Sequence, residues 1–308
     1  MIPSFAKADF VHEAQLPRWI PNMNPHSQLF VQQGRFNGPV KRDRPQMSDA
    51  LEKLQKIRFI FSITPGRSGS KLLTALAQCV DGVSAVHEGP PRMNYLLRTI
   101  CSHPPAAKWW LETEMFPAIA KDLSSGIYLE TSHLFCKGFI EPTLDLGLKP
   151  SFIILSRPAD EVAESLHAIG CVPERSGIGR MVLLGPSDDG VQEMPDWQSL
   201  SDYQLCYWYA LEIERRQAFY ERWLPERGCD VWRVQLKDLQ NTSLLPDLAQ
   251  FLTGRLEPSY DLEAAAVVLS QNQNPKSGLS TYLRMAPPLP ERTYQEAIVK
   301  EAFGMRCI

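Results

Sequence analysis

The stretch FIFSITPGRSGSKLL, residues 59–73, decides the fold. Ile60, Phe61 and Ile63 supply the bulk of a buried β-strand, and the run that begins at Ser70 reads as an apolar helix. Between them, the six residues 66–71 hold two glycines, two serines, an arginine and a lysine. A strand that passes through such a turn into a helix is the opening unit of a parallel α/β sheet. In these sheets ligands gather at the carboxyl ends of the strands, where helix N-termini offer unpaired N–H groups and about half a positive charge. Gly66 and Gly69 let the backbone come close to an anion, Arg67 and Lys71 add full charge, and Ser68 and Ser70 add hydroxyl donors. The turn has the chemistry of a phosphate or sulfate cradle.

It is not the nucleotide-triphosphatase pattern G-x-x-x-x-G-K-[ST]. Ser70 precedes Lys71, Leu72 follows it, and the span from Gly66 to the lysine is one residue short. The hydroxyl that would hold magnesium is absent, which argues against an ATP-dependent phosphotransferase.

Outward from this unit, short apolar strands alternate with helices. SDALEKLQKI (48–57) precedes the first strand as a helix with Ser48 as N-cap. GVSAVHE (82–88), IYLETSHLF (127–135), SFIILSR (151–157) and DVWRVQL (230–236) read as further strands. ADEVAESLHAIG (159–170) is an amphipathic helix, and SDYQLCYWYALEIERRQAFYERW (201–223) is a long one opened by the capping box Ser201/Gln204. NTSLLPDLAQFLTG (241–254) reads as the last clear helix. Alternation of this kind predicts an α/β domain, a central parallel sheet with helices on both faces, over residues 48–308. Residues 1–47, with turn signals at Asn24-Pro25 and Asn37-Gly38-Pro39, read as an irregular amino-terminal arm. Residues 171–198, rich in Gly, Pro and Asp, read as an insertion suited to a lid over an acceptor site.

G-x-R-S-G-[ST]-x-L-L after a strand resembles the 5′-phosphosulfate-binding loop of sulfotransferases that use 3′-phosphoadenosine 5′-phosphosulfate (PAPS), at Gly66, Arg67, Ser68, Gly69, Ser70, Leu72 and Leu73. It departs at Lys71, where the family has Thr or Ser. SFIILSRPADEVAESLHAIG is similar to the family's 3′-phosphate motif, with Arg157 at a strand end and Ser165 eight residues on in the next helix. A guanidinium there can grip a phosphate by two prongs, and a serine hydroxyl can add to it. The resemblance spans residues 57 to about 280 and implies a P-loop sulfotransferase-like fold that needs no metal. It further implies that residues 65–72, from Pro65 to Leu72, hold the 5′-phosphosulfate, with Arg157 and Ser165 on the 3′-phosphate. Lys276, Ser277 and Gly278 sit where the family has a cofactor-covering loop.

Sulfuryl transfer needs a base for the acceptor's proton and donors for the moving group and leaving phosphate. Arg67, Lys71 and the helix N-terminus suit the second task. For the base, Glu88 after the second strand is the first candidate, and HEGPP resembles the acidic segment of bacterial and carbohydrate-modifying members. His133 is the second candidate, as in members acting on small molecules. Strand alternation turns His87 away from Glu88, and Glu130 reads as an orienting partner. Lys137 and Arg180 read as solvated surface. Tyr203, Tyr207, Trp208 and Tyr209 read as core at helical spacing, with an acceptor pocket or adenine contact as the alternative.

Of the 308 residues, 44% are hydrophobic and 22% charged, and the net charge of -3 gives no overall pull toward nucleic acid or anionic membrane. Seven scattered cysteines without a C-x-x-C support neither a zinc site nor a disulfide framework. The amino terminus lacks a signal-peptide run, and no stretch approaches the ~20 apolar residues of a membrane span. These features predict a cytoplasmic enzyme with a soluble small-molecule acceptor, sulfated on oxygen or nitrogen. The rival in another class is a non-catalytic protein that keeps the nucleotide fold and binds adenosine 3′,5′-bisphosphate.

Overall fold

A computed structural model of the chain describes residues 47–123, 126–271 and 287–304. Residues 1–46 of the expected arm, and the Lys276, Ser277 and Gly278 candidates, lie outside these residues. In chain order the elements are α1 (Met47–Gln55), β1 (Arg58–Ile63), α2 (Ser70–Ala77), β2 (Val83–Val86), α3 (Leu97–Ser102) and α4 (Pro105–Trp110). A π-helical turn (Leu111–Met115) leads to α5 (Phe116–Asp122), β3 (Ile127–Glu130), α6 (Ile140–Asp145), β4 (Ser151–Ser156), α7 (Ala159–Ala168) and α8 (Gly177–Val182). The chain closes with α9 (Asp202–Trp223), β5 (Val231–Gln235), α10 (Leu245–Thr253), α11 (Leu262–Ser270) and α12 (Leu289–Gly304).

The five strands form one all-parallel sheet in the order β2-β3-β1-β4-β5. β1 lies at its centre, with Phe61 in register with Glu130 of β3 and Phe152 of β4. Side-chain alternation along β1 splits the core in two. Phe59, Phe61 and Ile63 pack on the face covered by α7 and α9, and Ile60 packs on the face covered by α2, α10 and α11. Both layers are buried, which explains why β1 and β4 read as continuous apolar runs.

The connections out of β1 and β4 leave to opposite faces, α2 to one and α7 to the other. Neighbouring strands that part this way open a crevice at their carboxyl ends. Gln217 on α9 closes the floor of that crevice. Its buried amide nitrogen donates to Ile63 O (2.9 Å) and Leu155 O (3.1 Å), one carbonyl from each strand.

The capping box opens α9, with Ser201 Oγ accepting from Gln204 N and Gln204 returning the bond to Ser201 N. Tyr203, Tyr207, Trp208 and Tyr209 are all buried on α9, the core position expected of them, in a stretch from Tyr203 to Ala210 that is buried on every side. The segment 171–198 is fastened to the domain at several points. Gln192 N donates to Glu212 Oε2 (3.1 Å), and Arg215 and Arg216 both donate to Gly190 O. Arg98 of α3 forms a two-pronged ion pair with Asp188.

Two helices beyond α10 were not anticipated. LEAAAVVLS of α11 lacks the polar stripe that marks an amphipathic helix, and α12 mixes polar and apolar residues around its circumference. No helix among the described residues is long and apolar enough to cross a membrane.

Candidate functional site

β1 ends at Ile63 and α2 starts at Ser70, so the turn fills 64–69. Gly66 (φ +77°), Arg67 (φ +57°) and Gly69 (φ +91°) all lie in the left-handed region. An arginine there is uncommon, and its neighbours hold it. Tyr209 donates its hydroxyl to Pro65 O (2.7 Å), Arg157 donates to Arg67 O (2.7 Å), and Ser68 Oγ donates to Gly66 O (3.0 Å). The Ser68 proton is therefore used inside the turn. Gly69 caps α2 with no side-chain bond, which leaves the first-turn N–H groups facing out of the helix end. A Cβ on Gly69 would run into Leu236. Lys71 is exposed in the first turn of α2, Ser70 is buried, and Leu72 packs partly against the core.

Arg157 follows β4, and Pro158 turns the chain into α7. Its Nε pairs with Glu161 Oε2 at 2.8 Å. Ser165, on α7, accepts from Arg67 Nε at 3.0 Å. Arg67, Arg157 and Ser165 thus form one contiguous cluster. Burial, then the charge of Arg157, pulls the Arg67 guanidinium below its ordinary pKa. Two facing cations at a turn of positive-φ residues are an arrangement that a bound anion relieves. The donor set fits a phosphate or sulfate ester.

On the other side of β1 the strands stop earlier than expected. β2 ends at Val86, and β3 ends at Glu130, so His133 lies in a turn rather than on a strand. Ser132 Oγ accepts from Leu134 N (3.2 Å) and coils the chain there, and Phe135 stacks on Phe61 with ring centroids 3.7 Å apart. The alternation argument for His87 also fails, because the strand has ended and Glu88 adopts φ +50°. His87 Nδ1 lies 3.0 Å from Thr131 Oγ1. Burial lowers its pKa, the nearby Glu88 charge opposes this, and the Lys71 charge adds to it.

Glu130 holds Glu88 in its left-handed conformation. Its buried carboxylate accepts from Glu88 N (2.8 Å) and from the Tyr128 hydroxyl (3.1 Å). Burial pushes the Glu130 carboxyl up to about 7, against the pull of those donors. A folded pKa raised from 4.5 makes Glu130 favour the fold fully below about pH 4.5, with that contribution lost as pH rises to about 7. Denaturant titrations should therefore show a loss of about 3 kcal/mol over that window, against the background of the other groups. Glu130→Gln should flatten that part of the curve, and an unchanged pH dependence would remove Glu130 from this role.

Glu88 Oε1 faces His133 Nε2 at 3.6 Å, and His133 Nδ1 lies 2.8 Å from Lys137 Nζ. The imidazole packs against the α-carbon of Gly66, where a Cβ would come within 3.2 Å of His133 Cγ. The two base candidates and the anion turn therefore adjoin. Lys137 is not solvated surface: it is 2% exposed and donates to Val182 O at 2.6 Å. Its spacing of four from His133 was the sequence signal for this contact. Arg180 is exposed, as expected, and donates to Glu174 O. Tyr209, read as core or as a pocket residue, reaches this region through Pro65 O and Lys137, and Gln217 touches it with no signal in the sequence. No family model, curated protein or solved structure matches the chain.

Proposed function

We propose that the chain is a P-loop sulfotransferase that moves a sulfuryl group from PAPS to a hydroxyl or amine of a small-molecule acceptor. The observation that supports this reading most is the Arg67–Arg157–Ser165 cluster on a glycine turn that also adjoins Glu88 and His133. In this reading residues 65–72 hold the 5′-phosphosulfate and Arg157 with Ser165 hold the 3′-phosphate. The donor supplies an activated sulfuryl group. Glu88 accepts the acceptor's proton, while Lys71 and the α2 N-terminus face the charge left on the departing phosphate. The pinned segment 171–198 contributes to the acceptor side.

Calorimetric titration tests the reading. Adenosine 3′,5′-bisphosphate should bind without magnesium and far more tightly than ADP. Arg157→Ala should weaken it by about 1.5–3 kcal/mol, roughly 10- to 150-fold, and remove most of the preference. Equal binding of ADP and the bisphosphate by the wild type, or magnesium-dependent ATP binding in their place, would overturn the assignment.

A further inference from the structure

We infer that Lys137 is a positioning residue that fixes the tautomer of His133, so that a protonated Nε2 faces Glu88 and leaves Glu88 as the proton acceptor. The inference rests on the proposed sulfotransferase reading for its catalytic meaning, although the tautomer itself does not.

The geometry accounts for every proton of the lysine. An ammonium has three N–H groups, and Lys137 Nζ has three acceptors: Val182 O at 2.6 Å, His133 Nδ1 at 2.8 Å, and the Tyr209 ring, whose centroid is 4.9 Å away. An imidazole that accepts at Nδ1 carries its proton on Nε2. Nε2 is the atom that faces Glu88 Oε1. A protonated Nε2 cannot take a proton from an acceptor, but it can orient a carboxylate that does. Of the two base candidates, the lysine thus selects Glu88.

The surroundings keep the arrangement near balance. Burial, followed by the charges of Lys137 and His87, holds His133 well below its ordinary pKa, so the imidazole is neutral. Burial also brings Lys137 down to about 7; the Cys136 and Cys171 thiols oppose this, while Arg98 of α3 and Arg216 of α9 add to it. Glu212 pairs with Arg216 and shields part of that repulsion. Loss of the lysine proton above about pH 7 lets Nδ1–H donate to the neutral amine and strips the proton from Nε2. Nε2 then has no proton to present to Glu88 Oε1, 3.6 Å away.

Long-range proton–nitrogen NMR on wild-type protein with labelled histidine reads this without ligand or turnover. Below about pH 7, His133 should show bare Nδ1 and protonated Nε2, and above it the protonated nitrogen should change. Lys137→Met should abolish the pH-dependent exchange. In that variant kcat should fall about 10- to 100-fold, the scale seen for partners that orient metal-bound histidines, with KM for the sulfuryl donor unchanged. Protonated Nδ1 in the wild type below neutrality would overturn the inference, as would a Lys137→Met enzyme with the wild-type kcat and pH profile. If adenosine 3′,5′-bisphosphate fails to bind while the tautomer is as stated, the fault lies with the sulfotransferase reading.

Discussion

Glu88→Gln is expected to lower sulfuryl transfer by roughly 10²- to 10⁴-fold while leaving adenosine 3′,5′-bisphosphate affinity near the wild-type value. The two side chains are nearly the same size, and the amide cannot take a proton at neutral pH. Residue 88 would still donate its backbone N–H to Glu130, so the left-handed turn that aims the side chain at His133 should persist. The anion turn is untouched, because Arg67, Arg157 and Ser165 lie on β1 and β4 connections rather than on the β2 connection. Initial rates of bisphosphate release, with calorimetry on the same preparation, separate the two effects. Unchanged turnover would move the role to His133 and contradict the tautomer argued from Lys137.

The second large effect is on stability. Glu212→Ala should cost about 3–5 kcal/mol in urea denaturation, because it strips the buried guanidinium of Arg216 of its carboxylate. Glu212 is fully buried, and its two oxygens take Arg216 Nε (2.7 Å), two bonds from Arg215 (2.8 Å each) and Gln192 N (3.1 Å). Arg216 in turn reaches Gly190 O and Cys136 O. One carboxylate therefore ties α9 to the 171–198 segment and to the turn that carries His133 and Lys137. A double change, Glu212→Leu with Arg216→Met, should be less damaging than the single one, since it buries no guanidinium without its counter-charge. Loss of less than 1 kcal/mol in Glu212→Ala would show that water or neighbouring groups replace the carboxylate.

Much of this was legible in the sequence, for physical reasons that differ from element to element. β1 and β4 are buried on both faces, so their apolar runs announce themselves, and a glycine turn at the end of β1 places the crevice. The capping box of α9 is a local interaction three residues long and reads directly from Ser201 and Gln204. Where β2 and β3 stop is another matter. Those ends are set by the positive φ of Glu88, held by a carboxylate 42 residues on, and by the Ser132 turn, whose Phe135 stacks on Phe61 of another strand. Lys137 reads as solvated because an ammonium is rarely buried; its partners are a carbonyl 45 residues away, an imidazole and a ring. The fastening of 171–198 depends likewise on charges of α9 that spacing cannot link to Gly190. Among the site residues, the turn and Arg157 were legible as chemistry, whereas the direct contact of Arg67 with Ser165 needed the sheet order.

Gln217 has a consequence for selectivity. Because one amide nitrogen grips the last carbonyl of β1 and the last but one of β4, the distance between the two loops they launch is a dimension of the protein scaffold and not of its guest. The crevice behaves as a caliper with its jaws locked. In the proposed reading, an anionic guest meets Arg67 and Arg157 at a spacing that the sheet has already set.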